Sequence, residues 1–575
     1  MDAPKFDCRA VLSAILLALL LTSCSERASQ SPRPTSAASE ASRPSATPKS
    51  LTVAIRGEPS TFSIKIDSSP TIPGGQEVEL LVNSGLAIKD ANGILQPRIA
   101  DAVPSVDNGQ WQLFPDGTMQ TTWRLRPDAR WADGTAFTVD DLLFTLRVGE
   151  DKDLPVFRDA AFDSIASVET PDPNTIVVEW RQPFIGADEL FTQDLAMPMP
   201  SHTLEPAYQQ EKAAFTQNAA WNDEFVGAGP FKLKQWTHGS FMTLDANDDY
   251  VLGRPRLDGI EVRFIDDMGT FYANMLAGTV DLNLGGRNLS LDQALQLRDA
   301  WNGRLELKLV ARFVAQPQLL NPNPPALANV QFRRAMLSAV DRNQMSDSLL
   351  PGASSPVAEL FLSPDEPEFS GLAPAIVHYP YDPSRAAQMM QDLGFTKGGD
   401  GVYQDRSGQP VIEEIRTVAT DVNQHIMAIL ADQWKHFGVP TTQVVVPPQR
   451  QRDLEYRATF PGFDVERQPS KTEVLSNLLS SQARIPETGY LGTNYSRVMD
   501  PALDGLIDRY FGTIPWDDRM SVGRQIVQQI TAQVIWLDLF YDAQPILIND
   551  RVLHVAAVKS ASSTETWNAQ DWDVR

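Results

Sequence analysis

Residues 122–146 read TWRLRPDARWADGTAFTVDDLLFTL, and three local structures follow from them in order. The stretch opens as a strand and turns at Asp133-Gly134, a dipeptide that supplies the backbone freedom of a tight turn. It then enters a helix at Thr138. Thr138 with Asp141 three residues on is a capping signal, and Leu142, Leu143 and Leu146 follow as the buried stripe. The pair Asp140-Asp141 suits the positive end of that helix. Outward from this segment the same two periodicities alternate. Leu51–Ile55, Thr175–Trp180, Ile260–Ile265, Leu305–Phe313 and Thr442–Val446 have the period of strands. Phe332, Ala335, Met336, Ala339 and Val340 fall on one helical face. Asp382-Pro383 and Asp500-Pro501 each start a helix, the first with the stripe Ala386, Met389, Met390, Leu393 and the stop Gly394. The second carries Leu503, Leu506, Ile507 and Tyr510 with Gly512 beyond, and a further stripe of Ile426, Ile429, Leu430 and Phe437 ends at Gly438. Strands and helices are mixed without an internal repeat, so the expected class is α/β.

The chain has 575 residues, with 73 acidic against 49 basic side chains, a formal charge of −24, 42% apolar residues and 2 cysteines. That length predicts several domains, each large enough to bury a core unaided. Two cysteines exclude a disulfide scaffold. The acidity argues against duplex nucleic acid or anionic lipid as the main partner, since both require a basic face.

Ala10–Leu21 is the one long apolar run, preceded by Lys5 and Arg9 and followed by Thr22-Ser23-Cys24. It is too short for a membrane span, which takes about 20 residues, and suits the core of a secretory signal. Leu21-Thr22-Ser23-Cys24 resembles the bacterial lipobox, in which cleavage precedes the cysteine and its sulfur carries a diacylglycerol. An ordinary signal peptide with an unrelated cysteine is the alternative. The expectation is therefore a signal over 1–23, a lipid on Cys24, and a mature chain that keeps the whole −24, because Met1–Ser23 holds two acids and two bases. Of the 26 residues Ser25–Ser50, 19 are Ser, Ala, Pro or Thr. Such a composition cannot offset its ordering entropy, so 24–50 is read as a flexible tether spanning on the order of 30 Å.

A catalytic constellation is not legible. The six histidines, His202, His238, His378, His425, His436 and His554, form no H-E-x-x-H pair, and no G-x-S-x-G elbow occurs. Gly227-Ala228-Gly229-Pro230 starts like a dinucleotide loop, but Pro230 interrupts the helix that would receive the pyrophosphate. Asp245, Asn247 and Asp249 open like a calcium loop, yet Tyr250 and Arg256 stand where its glycine and closing glutamate belong. No metal, cofactor or catalytic residue is assigned. Two carboxylates facing across a cleft, as in a glycosidase, are not identifiable from sequence.

The opening stretch resembles the most recognisable segment of the extracytoplasmic solute-binding proteins of family 5, the oligopeptide, dipeptide and nickel binders of ABC importers. Further matches follow in family order: Val226–Phe231 (VGAGPF), Asn247–Leu257 (NDDYVLGRPRL), Met275–Leu282 (MLAGTVDL), Phe332–Met345 (FRRAMLSAVDRNQM), Tyr381-Asp382-Pro383 with Leu393-Gly394-Phe395, and Asn494–Ile507. The resemblance implies a two-lobed α/β fold of the periplasmic-binding-protein type, class II, with an extra subdomain in the first lobe. It places the first lobe at 51–312, its subdomain at about 65–220, the second lobe at 313–543, and a return to the first lobe at 544–575, with crossovers near Leu309–Ala315 and Phe540–Ile546. The implied activity is capture of a peptide or similar polar solute by lobe closure and delivery to an ABC permease. The protein is then lipid-anchored and extracytoplasmic, with no catalysis and no nucleic-acid partner. A non-peptide solute (a nickel chelate or a sugar), or an exported hydrolase or sensor on the same fold, are the alternatives.

For the pocket the resemblance points to Thr459–Pro469 (TFPGFDVERQP), where peptide-binding members hold an acidic residue for the ligand's ammonium group. The tryptophan and Asp-Pro pair of that family stretch are missing. Asp464 is the candidate for the ammonium, and Phe463, Arg467 and Gln468 would serve an anionic or uncharged solute. Asn321 matches an asparagine after the crossover strand, or is a turn residue before Pro322. Glu58, Asn494 and Tyr495 complete the candidate ligand residues.

Overall fold

The computed structural model describes residues 48–66, 72–350 and 356–575. The expected signal over 1–23, the lipid site Cys24 and the tether up to Thr47 lie outside the described residues. The first strand begins at Ser50.

Ten strands form one mixed sheet. Ser50–Ile55 runs parallel to Gly259–Phe264 on one side and to Leu282–Asn283 on the other. The hairpin Phe231–Thr237 and Phe241–Ala246 continues the sheet beyond Gly259–Phe264 to its edge. At the centre Gly303–Pro317 and Leu537–Asn549 pair antiparallel along nearly their whole length. Beyond them follow Phe463–Pro469, Glu413–Thr417 and the edge strand Thr441–Val445. The two long central strands run through from one half of the sheet to the other: Ile548 pairs with Leu282, and Ala311–Pro317 pairs with Phe463–Pro469. Each half has its own core. One gathers Leu51, Val53, Ile55, Leu244, Val262 and Trp572. The other gathers Phe332, Met336, Ile415, Ile426, Trp434 and Phe463.

The segment 122–146 sits outside this sheet. Met119–Arg124 is a strand of a separate four-stranded antiparallel sheet with Trp111–Leu113, Thr175–Trp180 and Ile165–Asp172. Gly134 takes φ +89° in the turn, and the helix runs Val139–Glu150, with the Asp141 carboxylate accepting from the Thr138 amide at 3.0 Å. The WADGT sequence is a structural knot. Trp131 is fully buried, stacks on Phe137 with ring centroids 4.8 Å apart, and donates from Nε1 to Asp141 Oδ2 at 3.1 Å.

The Asp-Pro helix starts form as expected at Pro383–Asp392 and Pro501–Gly512, each capped by the aspartate side chain. The helix Asp421–Phe437 ends at Gly438 with φ +112°. One stripe is broken. Helix Val330–Ser338 stops before Ala339 and Val340, and a second helix, Arg342–Leu349, starts at Asp341, whose carboxylate accepts from the Gln344 amide at 2.9 Å. The helix thus ends short of the stripe, and Ala339 and Val340 stay buried in the link to the helix that Asp341 caps.

Candidate ligand-binding cleft

In open α/β sheets ligands gather at the carboxyl ends of parallel strands, and here those ends converge with the central strand pair. The chain leaves Ser50–Ile55 toward Ile72–Glu77, and leaves Leu282–Asn283 toward Gly285–Arg287. These two segments, with the central strands and the C-terminal stretch Ala561–Glu565, line an open cavity of about 280 Å³. Lys308 and Gln544 stand opposite one another in the central register and both line it. The register shift between Leu309 and Ala311 frees Val310 from the ladder and turns it to the same cavity. Arg467, from the strand Phe463–Pro469, closes the far wall.

The two loops meet backbone to backbone. Gly285 has φ +73°, and a Cβ there would stand 2.4 Å from the Gly74 nitrogen; Gly74 has φ +100°, and its Cβ would stand 2.2 Å from Ile55 Cγ2. Only glycine permits both the left-handed backbone and the approach. Gly285→Ala is therefore expected to destabilise the fold by at least the ~1–3 kcal/mol of a strained backbone position, read as a lowered urea midpoint. An unchanged midpoint would mean the loops separate without cost.

The cavity wall is charged on both sides. Arg467 Nε donates to Asp542 Oδ2 at 2.5 Å, and Asp542 also accepts from Gln544 Nε2 at 2.8 Å. The Lys308 ammonium donates to the Ser563 carbonyl and stands 3.8 Å from Glu565 Oε1. Burial, reinforced by the Glu565 charge, pushes the Glu77 carboxyl up to about 7 against the opposing pull of Lys308. Arg287 has φ +64° and is exposed within the cleft.

Of the residues singled out from sequence, Arg467 lines this cavity; the others take different places. Phe463 is fully buried and packs on Trp434 with centroids 4.7 Å apart. Asp464 is fully buried between Arg416 at 3.3 Å and Arg457 at 3.4 Å, and desolvation holds its carboxyl above the ordinary range. Gln468 Oε1 accepts from Arg312 at 2.9 Å. Asn494 is buried, donating to the carbonyls of Leu479 and Val498 at 3.2 and 2.8 Å. Tyr495 lies under the Arg484 guanidinium, 4.3 Å from its ring centroid. Asn321 is an exposed turn residue with φ +56°. Glu58 accepts from Trp236 Nε1 at 2.8 Å and from the Gly239 amide at 2.7 Å, and so fastens the edge hairpin.

Glu77, Arg287, Lys308, Gln544 and Glu565 line the same cavity and are not singled out by the sequence. The usable signal was the pairing of glycines, Gly74-Gly75 and Gly285-Gly286, in loops that follow strands and precede charged residues. A larger groove, about 740 Å³, runs along the edge strands, where Lys234 pairs with Asp245 at 3.1 Å and Arg254 with Asp258 at 2.7 Å. Among the described residues no group of His, Cys, Asp and Glu is arranged to hold a metal ion, and no helix is long and apolar enough to cross a membrane.

Comparison with known proteins places this geometry. The chain is 24% identical over 479 residues to the oligopeptide-binding protein AppA of Bacillus subtilis, covering 80% of this chain and 81% of that one. It is 25% identical over 480 residues to heme-binding protein A of Haemophilus influenzae, covering 79% and 80%. The fold superposes on NikA of Brucella suis, solved in complex with Fe(III)-EDTA, with a TM-score of 0.71 at 18% identity, over 92% of this chain and all of that one. The two-lobed α/β architecture is thereby shared. The bacterial extracellular solute-binding proteins, family 5, match residues 102–483, well over half of the chain. On that match, the chain belongs to the family 5 extracellular solute-binding proteins of ABC transporters.

Proposed function

We propose that this protein captures a peptide or a similar polar organic solute in the cleft between Gly74–Glu77, Gly285–Arg287 and Arg467, and hands it to an ABC permease. The observation that carries the reading is the cavity itself. It joins the loops of one half of the sheet to a side chain of the other, across the two strands that run through both. A solute touching both sides binds the closed arrangement better and shifts the population toward it. The lobes divide at the central strands, with 51–312 and 544–575 on one side and 313–543 on the other. Within the second lobe, Asp464 supports the Arg416 and Arg457 side chains, and Arg467 is the residue that meets the solute. No bond in the solute is made or broken.

The N-terminal arrangement completes the proposal: cleavage before Cys24, a diacylglycerol on its sulfur, and residues 24–50 as the tether to the binding domain. Cys24→Ala is expected to release the protein from the membrane fraction in soluble form; continued retention would refute the anchor. The solute is tested by mild purification and native mass spectrometry. Release of peptide masses on denaturation supports the reading, and a metal chelate or sugar in their place would replace it.

A further inference from the structure

We propose that Glu366 is a latch between the two lobes: its carboxylate, in the second lobe, grips the serine-rich turn Ser560–Ser563 of the first and holds the cleft closed from outside it. Glu366 is thereby a positioning residue that acts without touching the solute. The inference rests on capture by closure of the two lobes and names what joins them besides the solute.

The turn belongs to the first lobe. The Lys559 and Ser560 amides donate to the Ala91 carbonyl at 2.9 and 3.1 Å, and Ser563 Oγ donates to the Asp90 carbonyl. Gly93 closes over it with φ +82°, where a Cβ would stand 2.7 Å from Ser560 Oγ. On its other side the same stretch is cavity wall, through Ala561, Ser563 and Glu565.

The backbone of Glu366 belongs to the second lobe. It follows Leu360–Leu362, which are buried with Leu503, Ile507 and Tyr510, and Tyr541 Oη fixes that approach by donating to the Leu362 carbonyl at 2.6 Å. The Glu366 amide donates to the Ser363 carbonyl at 3.1 Å, and the Glu366 carbonyl accepts from the Phe369 amide at 3.1 Å. Only the side chain crosses. Its Oε1 accepts from the Ala561 amide at 2.5 Å, and its Oε2 from Ser560 Oγ at 2.8 Å and Ser562 Oγ at 3.3 Å. Glu366 is 6% exposed and Ser560 wholly buried. Three donors from three successive residues thus meet one carboxylate, the charge-assisted and stronger kind of hydrogen bond. Burial and the Glu368 charge hold the carboxyl above its ordinary range against the pull of these donors. The net hold is therefore modest, and release of a solute requires that it be.

When the lobes part, the carboxylate and its donors go to water and the contact is absent. An interaction made in one arrangement and not in the other shifts the population toward the first. Apparent affinity for a solute that binds the closed arrangement scales with the closed fraction, so losing the latch weakens binding while every contact to the solute is kept.

The test uses the lipid-free mature chain, freed of bound solute by unfolding and refolding. In small-angle X-ray scattering of the solute-free chain, Glu366→Ala is expected to have a larger radius of gyration than the unmodified protein. Ser560→Ala with Ser562→Ala, which removes two donors from the opposite lobe, should expand the chain as well. Glu366→Gln keeps an acceptor oxygen for the Ala561 amide and should fall between. In equilibrium dialysis against short random-sequence peptides with free ends, Glu366→Ala should reduce retention roughly tenfold, the size of one charge-assisted contact. All three substitutions together should reduce it no further than Glu366→Ala alone, because both faces belong to one contact. Asp365→Asn, on the exposed neighbour, should change neither reading. Scattering of Glu366→Ala identical to that of the unmodified chain would overturn the latch, and so would additive effects of the two faces. If Glu366→Ala fails to fold, as its urea midpoint would show, the serine pair and Glu366→Gln decide by the same readings. Retention of no peptide by the unmodified chain would overturn peptide capture, and the scattering, which needs no solute, would still decide the latch.

Discussion

Arg312→Ala is expected to lower the stability of the folded chain by about 3–5 kcal/mol, the cost of removing one partner from a buried ion pair. Arg312 is wholly buried on the central strand Gly303–Pro317. Its Nε donates to Asp538 Oδ1 at 2.6 Å, Nη2 to Gln468 Oε1 at 2.9 Å and Nη1 to the Pro469 carbonyl at 3.2 Å. The guanidinium also stands 4.7 Å from the Trp536 ring centroid. Three segments are thus joined at the point where the long strands pass into the second half of the sheet. Truncation would leave the Asp538 carboxylate buried without its counter-charge. Arg312→Lys keeps the charge but cannot reproduce the fork, so it should recover only part of the loss. Urea midpoints of the three proteins decide the matter. A loss below about 1 kcal/mol for Arg312→Ala would place this arginine among the weakly contributing surface pairs.

Asp141→Ala should be of similar size, about 3–5 kcal/mol, because several buried donors lose their acceptor at once, each costing ~1–3 kcal/mol without full additivity. Asp141 is 2% exposed. Its Oδ2 accepts from the Thr138 amide at 3.0 Å and from Trp131 Nε1 at 3.1 Å. Its Oδ1 accepts from the Ser201 amide at 2.9 Å and from Ser201 Oγ at 2.7 Å. The residue therefore caps one helix, fixes the buried tryptophan and fastens the start of the helix Ser201–Gln210. The measurement is again a urea midpoint, accompanied by retention of free-ended peptides at low denaturant. Stability should fall while retention is kept, because neither Trp131 nor Asp141 lines the cleft. Loss of retention at full folding would give the segment a direct part in binding.

The two variants also mark how far sequence reading reached. Thr138, Asp141 and Gly134 announce their structure locally, because a cap is a contact across three residues and a left-handed turn is a property of one. Asp382-Pro383, Asp500-Pro501 and Gly438 are legible for the same reason. The helix over Phe332–Val340 is legible as a face, but its end is not, since the chain leaves the helix at Ala339 to reach the new helix capped by Asp341.

The cleft was legible in one residue, Arg467. Asp464 is two positions from Glu466 and three from Arg467 in sequence, and an acidic side chain in a polar stretch looks available for a ligand. In the fold it lies between Arg416, its register partner on Glu413–Thr417, and Gln316, its register partner on Gly303–Pro317. Both partners belong to strands distant in sequence, so pairing alone decides that the carboxylate is spent internally. Phe463 is lost to the core in the same way, since it points to Trp434 on a helix whose position no local signal gives.

By itself the sequence determined the class, the capped and glycine-ended elements, and the family through motifs kept in order. These rest on periodicity, caps and turns, whose energies act over a few residues. Only the tertiary structure decided which charges line the cavity. Glu77, Arg287, Lys308, Arg467 and Glu565 come from five separate segments, and whether each is paired or free depends on neighbours brought in by sheet order. A side chain's charge is written in the sequence, but the partner that leaves it engaged or available is set by the register of strands hundreds of residues apart.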